Sequence, residues 1–318
     1  MSSRRTTRLA PSPTGALHLG NARTFLLNWL LARQRGWRVL FRMEDLDGPR
    51  VKAGADQQAV DNLCWLGLDW DGPVTRQSDR GEAYQQALRE LIDAGWAYPC
   101  TCSRQDIEQS SSAPHVEDGV AVYPGTCRSR WDSPQQAREA TGRPVAWRAR
   151  VTDRPISFDD AFAGRQTYNL SRTCGDFVVL KNDGLAAYQL AVVVDDAATG
   201  VDAIVRGADL LESTARQLHL RRRLGLDGEV TYWHLPLVIG EDGRRLAKRH
   251  GDTRLATYIE AGVPRQRVLG LLAWWSGQID QPREISLDDL LSRFDAAAIP
   301  HEPVVFTTAD NRWLRGVD

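Results

Sequence analysis

The stretch Arg8-Leu9-Ala10-Pro11-Ser12-Pro13-Thr14-Gly15-Ala16-Leu17-His18-Leu19-Gly20-Asn21 runs from a short strand through a proline- and glycine-punctuated turn into a helix start. Pro11 and Pro13 close the strand at 7–10, and Ala22, Phe25, Leu26, Trp29, Leu30 and Ala32 then recur at helical spacing across 21–35. Gly36 ends that helix, and residues 37–43 (WRVLFRM) alternate as a strand does. Strand, helix and strand follow one another within about 35 residues, the size of a parallel crossover. A helix start reached through a glycine turn presents unpaired N–H groups and a positive dipole end to a phosphate. His18 can donate to phosphate oxygens there, and Gly20 removes a side chain that would hold a nucleotide away. The plainer reading of this segment is a turn with an incidental histidine. No GxxxxGK[ST] segment occurs, so it is not a P-loop.

Outward from this unit, helices are expected at 52–66 and 82–94. Between 100 and 172 scattered Pro, Gly and Arg break the periodicity, as an insertion would. The rhythm returns with strands expected at 177–180, 187–194, 202–206 and 231–239 and a helix at 209–223. Helices are expected again at 255–261 and 265–275, separated by Gly262 and Pro264. The expected fold class is α/β: a Rossmann-like parallel sheet that binds a nucleotide, split by an insertion and followed by a small helical C-terminal region. The expected divisions are 1–98 and 176–239 for the two halves of the catalytic domain, 99–175 for the insertion, and 240–318 for a charged loop and helices.

Composition narrows the class. With 318 residues, 42% hydrophobic and 25% charged, the chain is neither disordered, collagenous nor a coiled coil. Lys plus Arg is 40 against 41 Asp plus Glu, which excludes a globally basic nucleic-acid coat but leaves room for a local basic face. The apolar runs at 185–194 and 268–275 fall short of the ~20 residues of a membrane span. The first residues lack the apolar core of a signal peptide, and five cysteines is an odd number for a secreted disulfide framework. A soluble cytoplasmic protein is expected, with Cys64 a buried inert thiol and no role for Cys174.

A second constellation is Gly240-Glu241-Asp242-Gly243-Arg244-Arg245-Leu246-Ala247-Lys248-Arg249-His250, in which four cations fall within six residues. Such a run is ordinarily a solvated loop. After the last strand of an α/β sheet it also lies where these folds bind ligands. Lys248 is then available to neutralise charge developing on a transferring phosphoryl group.

Together the two segments resemble the paired motifs of the class I aminoacyl-tRNA synthetases. His18-Leu19-Gly20-Asn21 is similar to HIGH, and Arg245-Leu246-Ala247-Lys248-Arg249 to KMSKS. RLAPSPTGALHLGNART, FRMEDLDGPR and DFVVLKNDGLAAYQLAVVVDDAATGVDAIVRGADLLESTARQ resemble the glutamyl branch, in order, over roughly residues 7–253. Asn21 stands where HIGH has its last His, and Ala247 where KMSKS has its Ser; the catalytic Lys is kept as Lys248. The resemblance implies ATP, with Mg²⁺, bound by Pro11, Ser12, Gly15, His18, Gly20, Asn21 and Lys248, with His18 and Lys248 catalytic. A site for free glutamate must meet two carboxylates and one ammonium, which calls for arginines and a carboxylate. The resemblance implies Arg8 and Arg206 for the carboxylates and Glu44 for the ammonium, with Ala10, Ser12 and Tyr188 completing the glutamate pocket.

Cys100, Cys102 and Cys127 offer three corners of a tetrahedral zinc site. His115 is one chemically reasonable fourth ligand; the resemblance points instead to Tyr123, in the pattern CTC…YxxxC of the glutamyl-queuosine tRNA(Asp) synthetases. One structural Zn²⁺ in the insertion is therefore expected. Only 68 residues follow position 250 of 318, where a full glutamyl-tRNA synthetase continues into stem-contact and anticodon-binding portions. An independent domain takes ~100–150 residues, so the resemblance narrows to that truncated group. Its implied reaction is ATP-dependent activation of L-glutamate and transfer to the queuosine base in the anticodon loop of tRNA(Asp), by a monomer without a membrane partner. The rival readings are a short glutamyl-tRNA synthetase charging a tRNA 3′ end, another adenylyl transferase, and an inactive zinc-bearing RNA-binding module.

Overall fold

The computed structural model describes residues 4–13, 16–46, 53–110, 122–244, 246 and 253–317. Strand β1 (Thr6–Leu9) is buried along its whole length, as a strand covered on both faces must be. Helix α1 (Leu19–Gln34) is buried at ten positions from Leu19 to Ala32, Leu26, Leu27, Trp29, Leu30 and Leu31 among them. A helix apolar on so many sides is enclosed rather than laid on a surface. Strand β2 (Arg38–Met43) returns parallel to β1, with Thr6 facing Arg38 and Leu9 facing Phe41. The crossover expected from the opening segment is present.

Helix α2 (Ala55–Leu66) leads to β3 (Thr75–Arg76), which extends the sheet beside β2. The packing face of α2 is Ala59, Asn62, Leu63 and Leu66; Cys64 falls outside it and is exposed, not buried as expected. Helix α3 (Gly81–Asp93) is followed by β4 (Ala97–Cys100), α4 (Arg104–Ser110), α5 (Pro134–Thr141) and β5 (Ala146–Ala149). Next come the hairpin β6 (Ile156–Asp160) and β7 (Gly164–Tyr168), the short α6 (Leu170–Thr173) and β8 (Phe177–Leu180). Strands β4, β5 and β8 form an antiparallel sheet, so β8 does not resume the parallel rhythm expected of it.

The stretch 187–194, expected as a strand, lies in helix α7 (Tyr188–Thr199). Its residues Gln189–Val193, Asp195 and Asp196 are all buried, so no polar face interrupts the apolar run, and periodicity cannot tell such a helix from a buried strand. Strand β9 (Ala203–Gly207), helix α8 (Leu211–Arg223) and strand β10 (Thr231–Leu235) complete the parallel layer, with β9 and β10 paired over five positions. Pro236, which has no N–H to give a ladder, separates β10 from β11 (Val238–Ile239), where one strand over 231–239 was expected. On its other side β10 accepts β6 in parallel, giving the order β7-β6-β10-β9.

Asp202 ties β9 to β1: its N–H donates to Thr6 O at 3.1 Å, and its Oδ1 accepts the Thr6 N–H at 2.7 Å. The carboxyl ends of β1, β2, β9 and β10 therefore open on one side, which is where open α/β sheets bind ligands. Helices α9 (Leu255–Glu260), α10 (Arg265–Trp275) and α11 (Leu287–Arg293), strand β12 (Val304–Val305) and helix α12 (Thr308–Arg315) follow. β12 pairs with β11, and Trp274 and Trp275 pack against the core that α1 fills. Among the described residues no helix is long and apolar enough to cross a membrane.

Candidate active site

Above the carboxyl ends of β1, β2 and β9 lies a cleft of about 160 Å³, lined by Arg8, Ala10, His18, Gly20, Asn21, Glu44, Tyr188 and Arg206. Eight residues singled out in the sequence thus meet in one place. Pro11 and Ser12 do not line it. Pro11 is buried, and its carbonyl accepts the Glu44 N–H at 2.9 Å, so it fixes the backbone of Glu44; Ser12 is exposed. Gly15, Lys248 and His115 lie outside the described residues.

His18 is the extended residue before α1. Its Nδ1 is 3.0 Å from Thr253 Oγ1, and the Leu19 N–H donates to Thr253 O at 3.0 Å. Thr253 is the first described residue after Lys248, and Leu246, two positions before that lysine, lines the cleft. Leu246 of the second motif and Thr253 downstream of it therefore both reach the region of the first.

A buried ion network supports the cleft. Arg42 Nη2 is 3.0 Å from Glu44 Oε1, its Nη1 donates to Asp196, and Arg8 Nε is 3.3 Å from the same Asp196 carboxylate. Burial raises the Glu44 carboxyl above its ordinary range, against the pull of Arg42 and Arg8. Burial also works against the charge of Asp196, but there Arg42 and Arg8 prevail and hold the carboxyl below its usual range. Arg206, 5% exposed, donates through Nε to His234 Nε2 at 2.9 Å and through Nη2 to Thr214 Oγ1 at 2.7 Å. Its Nη1 is buried with no protein partner, a donor left over at the cleft wall. An unmatched buried donor is costly unless a ligand completes it.

A second cluster lies where β4 ends. The sulfurs of Cys100, Cys102 and Cys127 are within 4.8 Å of one another, with Cys102 and Cys127 at 3.5 Å. Tyr123 Oη is 3.4 Å from Cys100 Sγ and 3.8 Å from Cys102 Sγ, and accepts the Cys127 N–H at 2.8 Å. Donors about 2.3 Å from a tetrahedral ion stand roughly 3.7 Å apart, so three soft sulfurs and a phenol oxygen at these distances fit a zinc ion. Arg148 donates to Cys100 Sγ at 3.3 Å and lies 3.9 Å from the centre of the Tyr123 ring, a cation beside donors that bind metal as anions.

Residues 5–310 match the family described as tRNA synthetases class I (E and Q), catalytic domain. The chain belongs to that family. It is 48% identical over 308 residues to the glutamyl-Q tRNA(Asp) synthetase of Symbiobacterium thermophilum, covering 93% of this chain and 94% of the relative. The protein of the same name from Nocardia farcinica is 47% identical, covering 97% and 94%. A glutamate tRNA ligase from Elizabethkingia meningosepticum, solved in complex with its amino acid, superposes with a TM-score of 0.81 at 26% identity, covering 98% of this chain and 69% of that one. As a member of this class I family the chain is a ligase, with the family's α/β fold and parallel sheet.

Within this class I ligase, several residues that support the cleft from behind its lining are not picked out by the sequence: Arg42 and Asp196, which pair with Glu44 and Arg8, and Thr214, His234 and Asp160, which hold Arg206 directly or through one another. FRMEDLD and VVVDDA contain the first two, but a charged residue inside a strand or helix reads as its solvent side until the layers covering it are known. The arginines that end α8 are only partly solvated, with Arg222 exposed. Arg221 is buried against the carbonyls of Asp227 and Gly228, and Arg223 stacks on Trp96 at 3.4 Å.

Proposed function

We propose that the chain activates L-glutamate with ATP and transfers it to the queuosine base in the anticodon loop of tRNA(Asp). The observation that carries the glutamate half is the meeting of Arg8, Arg206 and Glu44 around one cleft. A free amino dicarboxylic acid needs two cationic groups for its carboxylates and one anion for its ammonium. Ala10 and Tyr188 shape the same pocket, and Ser12 adds a polar contact as substrate enters. His18, Gly20 and Asn21, with Pro11 and Gly15 ahead of them in the sequence, hold ATP as its magnesium complex at the start of α1.

The glutamate α-carboxylate attacks the α-phosphate in line and pyrophosphate leaves, with Lys248 stabilising the developing charge. A hydroxyl of the queuosine cyclopentene ring then attacks the carbonyl of glutamyl-adenylate and AMP departs. Positioning and electrostatics supply the catalysis. The choice of queuosine rests on the relatives at 43–48% identity that carry the glutamyl-Q tRNA(Asp) synthetase name. Cys100, Cys102, Tyr123 and Cys127 would hold one Zn²⁺ that braces the insertion and takes no part in the chemistry. The reading places the enzyme in the cytoplasm as a monomer. The division at 1–98, 99–175, 176–239 and 240–318, with a small helical C-terminal region, belongs to the same reading.

The test of the activation step is glutamate-dependent ATP–pyrophosphate exchange without any tRNA. Exchange is expected in the unsubstituted chain and is expected to fall at least ~100-fold in Lys248→Ala. No exchange in the intact chain would leave an RNA-binding module without activity.

A further inference from the structure

We propose that His234, locked by Asp160, is a positioning residue that aims Arg206 at the carboxylate of the bound amino acid. The proposal rests on the reading of Arg206 as a glutamate ligand. Three elements meet in it. Asp160 ends β6, His234 lies on β10, and Arg206 lies on β9. All three side chains are buried, His234 to within 1% of full enclosure.

The direction of the hydrogen bonds follows from what each atom can carry. Asp160 Oδ1 accepts the N–H groups of Phe162 at 3.0 Å, Ala163 at 2.7 Å and His234 at 3.2 Å. Burial opposes the Asp160 charge, but these donors and His234 keep its carboxyl below the ordinary range, so it is an acceptor. Its Oδ2 lies 2.6 Å from His234 Nδ1, which therefore carries the proton. That leaves Nε2 as the lone-pair nitrogen, 2.9 Å from the Nε–H of Arg206. A guanidinium can only donate, so this tautomer is the one the contact requires.

Thr214 Oγ1 accepts from Nη2 on the same edge of the fork, and it stands 3.1 Å from His234 Nε2. With Nε and Nη2 anchored side by side, the guanidinium is held along that edge, and the unpartnered Nη1 is the group left to meet a ligand. The cleft-side arginine is thus oriented by the hairpin β6–β7, which is not itself part of the cleft lining. Removing the acceptor leaves the charge of Arg206 in place but frees its orientation.

The decisive comparison is His234→Leu against His234→Gln in tRNA-free exchange. The Gln variant can still donate to Asp160 through its amide and accept from Arg206 through its oxygen. His234→Leu is expected to raise the KM for glutamate tenfold or more, the scale of about one hydrogen bond to a charged group, with the KM for ATP changed by less than about twofold. His234→Gln is expected to recover most of the loss. Equal effects on both substrates, or an unchanged glutamate KM in a folded Leu variant, would overturn the assignment. Where the Leu variant does not fold, Thr214→Val is expected to produce the same selective rise, and its absence counts against the proposal. Nitrogen-15 NMR of the unsubstituted chain gives a readout independent of activity: Nε2 of His234 is expected to be unprotonated at neutral pH, and a protonated Nε2 would overturn it. Exchange in the unsubstituted chain reports on glutamate activation, while the tautomer reports on His234 alone.

Discussion

Glu44 sits between opposing forces: enclosure favours its neutral form, while Arg42 and Arg8 favour the carboxylate. Only the carboxylate can hold an ammonium, and burial raises its titration above the ordinary range, so the charged form is lost as pH falls through that raised value. The KM for glutamate is therefore expected to climb on acidification sooner than for an unperturbed carboxylate. Glu44→Gln is expected to raise that KM roughly 10- to 100-fold at neutral pH and to flatten its acid limb; steady-state exchange across pH checks both. Asp196 has a different task, since it neutralises Arg8 and Arg42 where all three are buried. Asp196→Ala takes from buried Arg8 the carboxylate it pairs with, leaves Arg42 to Glu44 and Asp195, and is expected to cost about 3–5 kcal/mol of stability, read by urea unfolding. Arg8 and Glu44 could be singled out in the sequence through its resemblance to the glutamyl branch, and they line one cleft. Arg42 and Asp196 were not singled out, because their partners come from segments more than 150 positions apart in the chain.

Among the elements, the strand–helix–strand opening was legible because Pro, Gly and a helical repeat mark its boundaries. Helix α7 was not, since Ala191, Val192 and Val193 are enclosed on every side and leave no polar stripe to set a period. The hairpin β6–β7 was equally hidden: nothing local in ISFDD signals a parallel partner in β10. The metal cluster was readable as a donor set, and the structure gathers Tyr123 with the three cysteines. Elemental analysis is expected to find one zinc per chain. Stripping it with a chelator is expected to lower the Tm by roughly 5 °C or more, because the ion replaces a core that β4 and the segment around Cys127 do not build. An unchanged Tm on removal would argue against a structural ion.

At the scale of the whole molecule, a net charge of -1 conceals an uneven surface. Arg154, Arg222 and Arg223 lie near one another; burial lowers the proton affinity of Arg223, and Arg222 and Arg154 lower it further. An RNA backbone is a natural counter-charge for such a face, so raising salt from ~50 to ~200 mM is expected to weaken transfer to tRNA far more than tRNA-free exchange. In the proposed reading the cleft takes glutamate, and the nucleic acid acceptor is the remaining choice, between a base in an anticodon loop and a 3′ end. The most direct test offers labelled glutamate and ATP with tRNA(Asp) bearing queuosine, the same tRNA without it, and tRNA(Glu). Label is expected on queuosine-bearing tRNA(Asp) alone, and charging of tRNA(Glu) at its 3′ end would contradict the account.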